Sequence, residues 1–226
     1  MALLGSGALA MFWDMAPAMR AEFEDWHSHE HFPERLGVPG FRRASRWMSA
    51  TGDDSVFVLY EVAAHDVLGS AAYAAHLNAP TPWSTRIMPH HRNMLRSQCR
   101  VVGSHGGVVA RHALTLRYAS VPRRDADVHE RLDALARVLV AQPGFVGAHL
   151  LQHEDPALAP TTEQRIRGLA DGVADRVLVV CGYDAAALAT WRDTTLAGVL
   201  ADGGVAPGHV VGLYSLSHSA THADVT

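Results

Sequence analysis

The stretch Trp26-His27-Ser28-His29-Glu30-His31-Phe32-Pro33-Glu34-Arg35 gathers three histidines, two carboxylates, a tryptophan and an arginine into ten residues. Imidazole is the side chain that titrates near neutral pH, and it is the commonest transition-metal ligand. A neutral histidine beside a carboxylate can take a proton as a general base near pH 7. His27 and His31 are four residues apart and therefore neighbours on one helical face, with Trp26 and Glu30 on the adjacent stripe. Pro33 lacks the N–H that a helix interior needs, so the spacing predicts a helix from Ala18 that ends near His31. A side chain at such a break can reach a cavity between helix and sheet. We therefore expect His31 as the base, supported by Glu30 or Glu34, with His27 next to it. The bland alternative puts His27 and His29 on solvated helix surface.

A second cluster, Arg86-x-x-Pro89-His90-His91-Arg92, falls just before a strand, where a pocket rim would lie. It also reads as an exposed basic loop. Trp26, Trp47, Tyr60, Tyr73 and Trp83 are candidate apolar walls for an aromatic or alicyclic ligand. Arg35, Arg43, Arg86 or Arg92 could hold a carboxylate or enolate oxygen. If the clusters meet, His27 and His31 with His90 or His91 and Glu30 would offer two imidazoles and a carboxylate to a divalent transition metal, His27, His31 and His91 being the candidate ligands. The His-Glu-x-x-His pattern of zinc proteases is absent, and nothing resembles a haem attachment motif, so haem on His31 or another single histidine is a remoter alternative. No Gly-rich phosphate loop, nucleophile elbow or Cys-x-x-Cys occurs, which disfavours nucleotide enzymes, serine hydrolases and thiol redox chemistry.

The elements that must position these residues belong to an ordinary globular chain. It has 226 residues, 48% of them hydrophobic and 19% charged, and a formal net charge of -4. Without a clustered basic face, a nucleic-acid partner is not expected. Cys99 and Cys181 lie far apart, with no disulfide or metal spacing, which suits a reducing compartment. The apolar N-terminus has no basic segment before it and no small-residue cleavage site, so it does not read as a signal peptide. No apolar run reaches the roughly 18 residues of a membrane span. A cytoplasmic location is the expectation, with no membrane partner.

Strand and helix patterns follow the order β-α-β-β-α-β, the ferredoxin-like arrangement, and then repeat it. In the first half the strands are expected at 7–15, 41–49, 56–62 and 94–103, with helices at 18–31 and 66–77, the second capped by Asp66. In the second half the strands are expected at 113–121, 146–153, 176–181 and 209–217, with helices at 127–140 and 184–200. Gln142-Pro143-Gly144-Phe145 matches Val38-Pro39-Gly40-Phe41. This gives a first ferredoxin-like repeat at 1–103 carrying the site, a linker at 104–112, a scaffold repeat at 113–218 and a loose tail from Ser219. Residues 155–175 read as a polar insertion of unassigned role. The expected fold is α+β: two fused ferredoxin-like repeats forming an α+β barrel. If Pro39 aligns with Pro143, then Trp26, His27, Glu30, His31 and Arg35 align with Glu130, Arg131, Ala134, Leu135 and Leu139. The polar set occurs once while the fold pattern occurs twice, which points to one pocket, in the first half.

This layout resembles the dimeric α+β barrel superfamily. Trp26-His27-x-x-Glu30-His31-x-Pro33-Glu34-Arg35, followed by Val38-Pro39-Gly40-Phe41, is similar to its EthD-like and related branches. The resemblance implies that His31 is the family-type histidine, and it carries over no other catalytic residue. The superfamily includes cofactor-free monooxygenases, lactone isomerases, haem enzymes and binding modules, so fold does not settle function. The resulting expectation is a small-molecule enzyme with no organic cofactor. It would abstract a proton from a hydrophobic, aromatic carbonyl or carboxylate ligand through His31, with Glu30 and His27. The alternatives are a metal-dependent enzyme on the same histidines and a non-catalytic ligand-binding or assembly module. A homodimer is expected in each case.

Overall fold

In a computed structural model of the chain, which describes residues 3–107, 109–119, 121, 124–156, 158–168, 171–202 and 205–225, eight antiparallel strands close into a barrel. They are β1 (Gly7–Met15), β2 (Phe41–Ser49), β3 (Ser55–Val62), β4 (His91–Gly106), β5 (His112–Tyr118), β6 (Phe145–His153), β7 (Arg176–Gly182) and β8 (Val210–Thr221). The order around the barrel is β1-β3-β2-β8-β5-β7-β6-β4. Each half thus keeps the order 4-1-3-2 of a ferredoxin-like sheet, and the halves are sewn together by the β2–β8 and β4–β6 ladders.

Closure follows from strands that are apolar on both faces, because each face then needs a cover. In β3, Phe57 and Leu59 point into the barrel, where they meet Phe12, Trp47, Val179 and Tyr214. Val56, Val58, Tyr60 and Val62 point outward to a helical layer built on Phe23, Trp26, Phe32 and Leu36. The second half has its own outer layer, on Val128, Leu132, Ala136, Leu139 and Leu188. Among the described residues no helix is long and apolar enough to cross a membrane.

The duplication extends to backbone detail. Gly40 and Gly144 adopt φ of 97° and 94°, a region that side-chain-bearing residues rarely occupy. Each stands just before a bulged strand, the register shifting between Phe41 and Arg43 in β2 and between Phe145 and Gly147 in β6. A Cβ on Gly40 would lie 2.6 Å from a Val67 methyl, and one on Gly144 would lie 2.6 Å from the Ala187 Cβ. Glycine is therefore required twice, at equivalent points, by both conformation and space.

Several boundaries differ from the sequence expectation. β4 runs on to Gly106 and β5 begins at His112, so the link between halves shortens to residues 107–111. The tail is not loose: β8 continues to Thr221, and a 3-10 turn at His222–Asp224 closes it with a Thr221–Asp224 capping box. After β3 the chain makes a 3-10 turn, His65–Gly69, before α3 (Ala71–Asn78); the cap is Ser70, whose Oγ accepts from Tyr73 N at 3.2 Å, not Asp66. A short helix α4 (Pro82–Ile87) follows, capped by Thr81.

The largest difference lies in the first helix. Pro33 does not end it. α1 (Arg20–Trp26) passes through a π-helical turn at His27–His31 and continues as α2 (Phe32–Leu36). The Phe32 N–H reaches back five residues to the His27 carbonyl. Carbonyls upstream gain side-chain contacts as well: Ser28 Oγ donates to Glu24 O at 2.7 Å, and His29 Nδ1 lies 3.0 Å from Asp25 O. The wide turn accommodates the proline, and it inserts one residue relative to the second half. There the single helix α5 (Asp125–Leu139) buries Val128, Leu132, Ala136 and Leu139. The inward residues Phe23, His27, Phe32 and Arg35 match these by position. The structural counterpart of His27 is therefore Leu132, not the Arg131 that sequence offset from Pro39 gives.

The 155–175 insertion crosses to the first half. Its helix α6 (Thr162–Ile166) starts with a Thr161–Gln164 capping box. Thr162 N donates to Asn78 Oδ1 at 3.0 Å, and Gly172 exchanges backbone hydrogen bonds of 2.8 and 2.9 Å with Met94 and Arg96. Leu158 and Ile166 pack on the first-half core.

Gly40→Ala and Gly144→Ala should each destabilise the chain by about 1–3 kcal/mol, as strained backbone and a forced contact would. Urea midpoints should fall with the slope unchanged.

Candidate functional site

The wide turn has a local consequence: it brings His27, His31 and Phe32 to the same inward face, all three buried. Beneath them lie Met11 and Trp13 from β1, Tyr60 from β3, and His91 and Met94 from the start of β4. Glu163 and Arg167, from the insertion, form the remaining wall. These residues enclose a cavity of about 20 Å³, enough for a single water molecule. The rings are packed edge and face: His27 and His31 stack with centroids 5.3 Å apart, Trp26 lies 4.4 Å from His31, and Trp13 lies 5.0 Å from His91.

Polar atoms in this cavity lack partners. Trp13 Nε1, His27 Nδ1, His31 Nδ1 and Tyr60 OH are buried without a hydrogen bond. Buried polar groups are otherwise almost always satisfied, because stripping water from one without replacement is costly. The residues that carry these atoms line one void with room for a single water, and a ligand or a water there could serve them.

The electrostatics make the imidazoles neutral. Burial holds the His31 pKa well below its usual value, helped by the Arg35 guanidinium and by His27. Burial does the same for His27, helped by Arg46 and His91. His91 is pulled down to about 3 by burial, against the opposing hydrogen bond to the Met88 carbonyl, 3.0 Å from Nδ1. That bond fixes the tautomer, leaving Nε2 of His91 with the lone pair. His31 Nδ1 stands 3.7 Å from Glu34 Oε2, which is itself buried and unpartnered. Glu34 Oε1 is held by Arg35 Nη1 at 3.2 Å and His76 Nδ1 at 3.1 Å, so the carboxylate is fixed while its second oxygen faces the imidazole.

Several residues expected at the site are elsewhere. Glu30 is the outer strut of the turn: its Oε1 accepts from Trp26 Nε1 at 3.0 Å, Thr81 Oγ1 at 2.5 Å and Ser84 Oγ at 3.4 Å, and Glu34 takes its place beside His31. Arg35 is fully buried in an ion pair with Glu163 and lies over the Tyr73 ring. Tyr73 packs in the outer core and its hydroxyl accepts from Arg96 at 2.9 Å. Arg43 and Trp47 point into the barrel, on the far side of the sheet, because the bulge at Phe41 changes which residues of β2 face in; Arg43 pairs there with Glu61. Trp83 and Arg86 bind Glu22 on the outside of the helical layer. His90 sits in the turn before β4 and does not line the cavity, whereas its neighbour His91 does. Trp26, His27, His31, Tyr60 and His91 are the predicted residues that the fold brings together. They line one cavity, yet among the described residues no group of three His, Cys, Asp or Glu is arranged to hold a metal ion.

Sequence reasoning missed Trp13, Met11, Met88, Met94, Glu163 and Arg167. Alternation along β1 could have placed Met11 and Trp13 on the helix-facing side. Glu163 and Arg167 carry no such signal, since a charged pair at i and i+4 in a polar insertion reads as solvated surface.

No protein-family model matches the chain, and no curated protein matches it. Solved structures do. An anthrone oxidase-like protein aligns with a TM-score of 0.66 at 11% identity, covering 97% of this chain and 94% of its own. A candidate monooxygenase from Fusobacterium nucleatum aligns at 0.64 with 8% identity over 97% and 96%. One from Lactobacillus acidophilus aligns at 0.56 with 9% identity over 96% and 97%. At these identities the likeness establishes the fold, a ferredoxin-like α+β barrel.

The lowered histidine pKa values set a direction for stability. The unfolded chain binds protons below about pH 6.5 where these native imidazoles do not, so stability is full above that pH and is lost as pH falls through it. For His91 the loss continues toward about 3. His27→Leu, which copies the Leu132 side of the duplication, should be neutral or stabilising at pH 7. It should also flatten the decline between pH 6.5 and 5 by about 1.4 kcal/mol per pH unit, measured by urea unfolding.

Proposed function

We propose that the chain is a small-molecule enzyme that removes a proton from an acidic C–H of an aromatic carbonyl compound, with no organic cofactor, and that dioxygen then reacts with the resulting anion. The observation that carries this reading is the set of buried, unpartnered polar atoms around one aromatic-lined cavity, with a neutral histidine facing a fixed carboxylate. His31 acts as the base. Glu34 orients it by accepting from Nδ1, a contact of 3.7 Å that shortens when substrate arrives, leaving Nε2 for the substrate proton. The Tyr60 hydroxyl and the Trp13 N–H are donors without partners, suited to the enolate oxygen that forms. The anion also answers the crowd of positive charge near His31, where Arg35 and Arg167 otherwise oppose protonation.

In an anthrone-type substrate the balance is complete without a resident redox group. The ring methylene loses a proton to His31, the carbanion passes its electrons to dioxygen as a C–O bond forms, and the peroxide loses water to leave a quinone carbonyl. The fold neighbours described as anthrone oxidase-like and as candidate monooxygenases are consistent with that choice of probe. The cavity must widen to admit such a molecule. Met11, Met88 and Met94 are pliable walls, and the insertion is the wall that contributes Glu163 and Arg167.

Oxygen uptake with anthrone, and anaerobic deuterium exchange at its methylene, test the reading. His31→Ala should lower both by about 100-fold or more, and Glu34→Gln by about tenfold. Full exchange in a folded His31→Ala chain excludes the base role. Because the imidazole stays neutral below its usual pKa, kcat/KM should show no acidic limb near pH 6.5.

A further inference from the structure

Strands β1 and β4 each present alternate residues to two different spaces. Met11, Trp13 and Met94 face the histidine cavity, whereas Asp14 and Leu95 border hollows at an open end of the barrel. Two such hollows, of about 280 and 230 Å³, meet at Arg117 and Val210. Arg117 is unlike the other buried arginines. Arg35 and Arg43 have carboxylates, Arg46 has the Glu24 carbonyl and two serine hydroxyls, and Arg96 has the Tyr73 hydroxyl. The Arg117 guanidinium lies over the Phe12 ring, 4.3 Å from its centroid, and its Nε is buried with no acceptor. Among the described residues it has no ion pair. A half-buried cation stacked on a ring face, with Asp14 acting on it only from beyond ion-pair distance, has lost water without gaining a paired anion.

We propose that this end of the barrel is a second binding site, for a monocarboxylate with a small apolar body. The carboxylate would sit on Arg117, and the body in the 230 Å³ hollow. That hollow is walled by Leu95, Tyr118, Ala174, Val173 and Val210. Val173 and Val210 are 50% and 44% exposed, so two large apolar side chains stand in water beside the unpaired cation. The pairing of exposed apolar wall and lone guanidinium selects an amphipathic anion over a bare one. Asp175, the acidic residue of this hollow, is on its exposed rim. The 280 Å³ hollow instead carries Asp14 and Asp53, which repel an anion, so it is the less suited of the two. The site is independent of the histidine cavity, being on the other face of β1.

Nitrogen-15 NMR of the full chain tests this with benzoate as probe, benzyl alcohol as the neutral probe of the same body, and inorganic phosphate as the bare anion. Benzoate should shift the Arg117 Nε–Hε signal and the Val173 and Val210 amides along one saturable curve. Benzyl alcohol and phosphate should bind about tenfold more weakly or worse. Arg117→Gln should weaken benzoate by at least about tenfold. Val173→Glu, a change at an exposed position that leaves the barrel interior untouched, should do the same and covers the case in which Arg117→Gln does not fold. No saturable shift below about 10 mM benzoate, phosphate binding as tightly as benzoate, or unchanged affinity in both variants would each overturn the assignment.

Discussion

Burying Arg35 obliges a carboxylate to be buried with it. Its guanidinium, at the end of the first helix, is 2% exposed; beside the adjacent Glu34, the carboxylate that meets it is Glu163, 5% exposed, 128 residues further along. An arginine left alone in that position would cost several kcal/mol, on the order of 3–5 when one partner of a buried pair is removed. The insertion that carries Glu163 is therefore committed to dock on the first half, and in docking it places Arg167 and Glu163 against the histidine cavity. One ion pair fixes three things together: where the insertion lies, how closed the cavity is, and how much positive charge surrounds His31. The second repeat is thus more than a scaffold, since it supplies a wall of the other repeat's pocket.

The duplication shows what the site costs the fold. The two halves share strand order, bulge positions and the glycine before each bulge, so their backbones solve the same packing problem. Where α5 fills its inner face with Val128, Leu132, Ala136 and Leu139, the first helix offers Phe23, His27, Phe32 and Arg35. Replacing an aliphatic stripe by imidazole and guanidinium trades satisfied burial for unsatisfied polar atoms. The π-helical turn belongs to the same exchange. It inserts one residue, turns two histidines and a phenylalanine inward together, and adds side-chain contacts from Ser28 and His29 to carbonyls upstream. Such turns interrupt the regular ladder, and they persist where the surrounding structure gains from the altered direction of a side chain.

The repeat was legible because its signals are local: apolar alternation, helical periodicity and a Pro-Gly pair before a strand. His27, His31, Trp26, Tyr60 and His91 were legible as a set because residue type and the expected pocket position agreed. What escaped depended on parity or on distant pairing. A single bulged residue at the start of β2 sends Arg43 and Trp47 into the barrel, and no feature of Phe41-Arg42-Arg43 announces it. The wide turn at His27–His31 keeps the helix going through Pro33, which the local rule for proline reads as a stop. It also shifts the alignment of the halves by one residue upstream. Glu34 rather than Glu30 faces His31 because residues three apart on a helix are neighbours and consecutive ones are not; Glu30 turns to Thr81 and Ser84. Glu163 and Asn78 are contacts across the chain that no short pattern encodes.

The proposed base-driven reaction requires the closed cavity to open before a substrate can reach His31. In a space of about 20 Å³ no organic molecule fits, so entry requires displacement of the insertion or of the methionines. Of these, the methionines rearrange at little cost, because thioether chains repack readily. Moving the insertion would separate Arg35 from Glu163 and leave the arginine with Glu34 as its remaining carboxylate partner. Under the proposed function, an entering enolate or carboxylate would offer an acceptor in place of the carboxylate that leaves. The unpaired donors of Trp13 and Tyr60 act in the same sense, because they have no partner until an oxygen arrives. The closed form is held by the Arg35–Glu163 ion pair together with the hydrogen bonds of Thr162 and Gly172, and under the proposed function a carbonyl ligand would favour opening by supplying an oxygen to the Trp13 and Tyr60 donors.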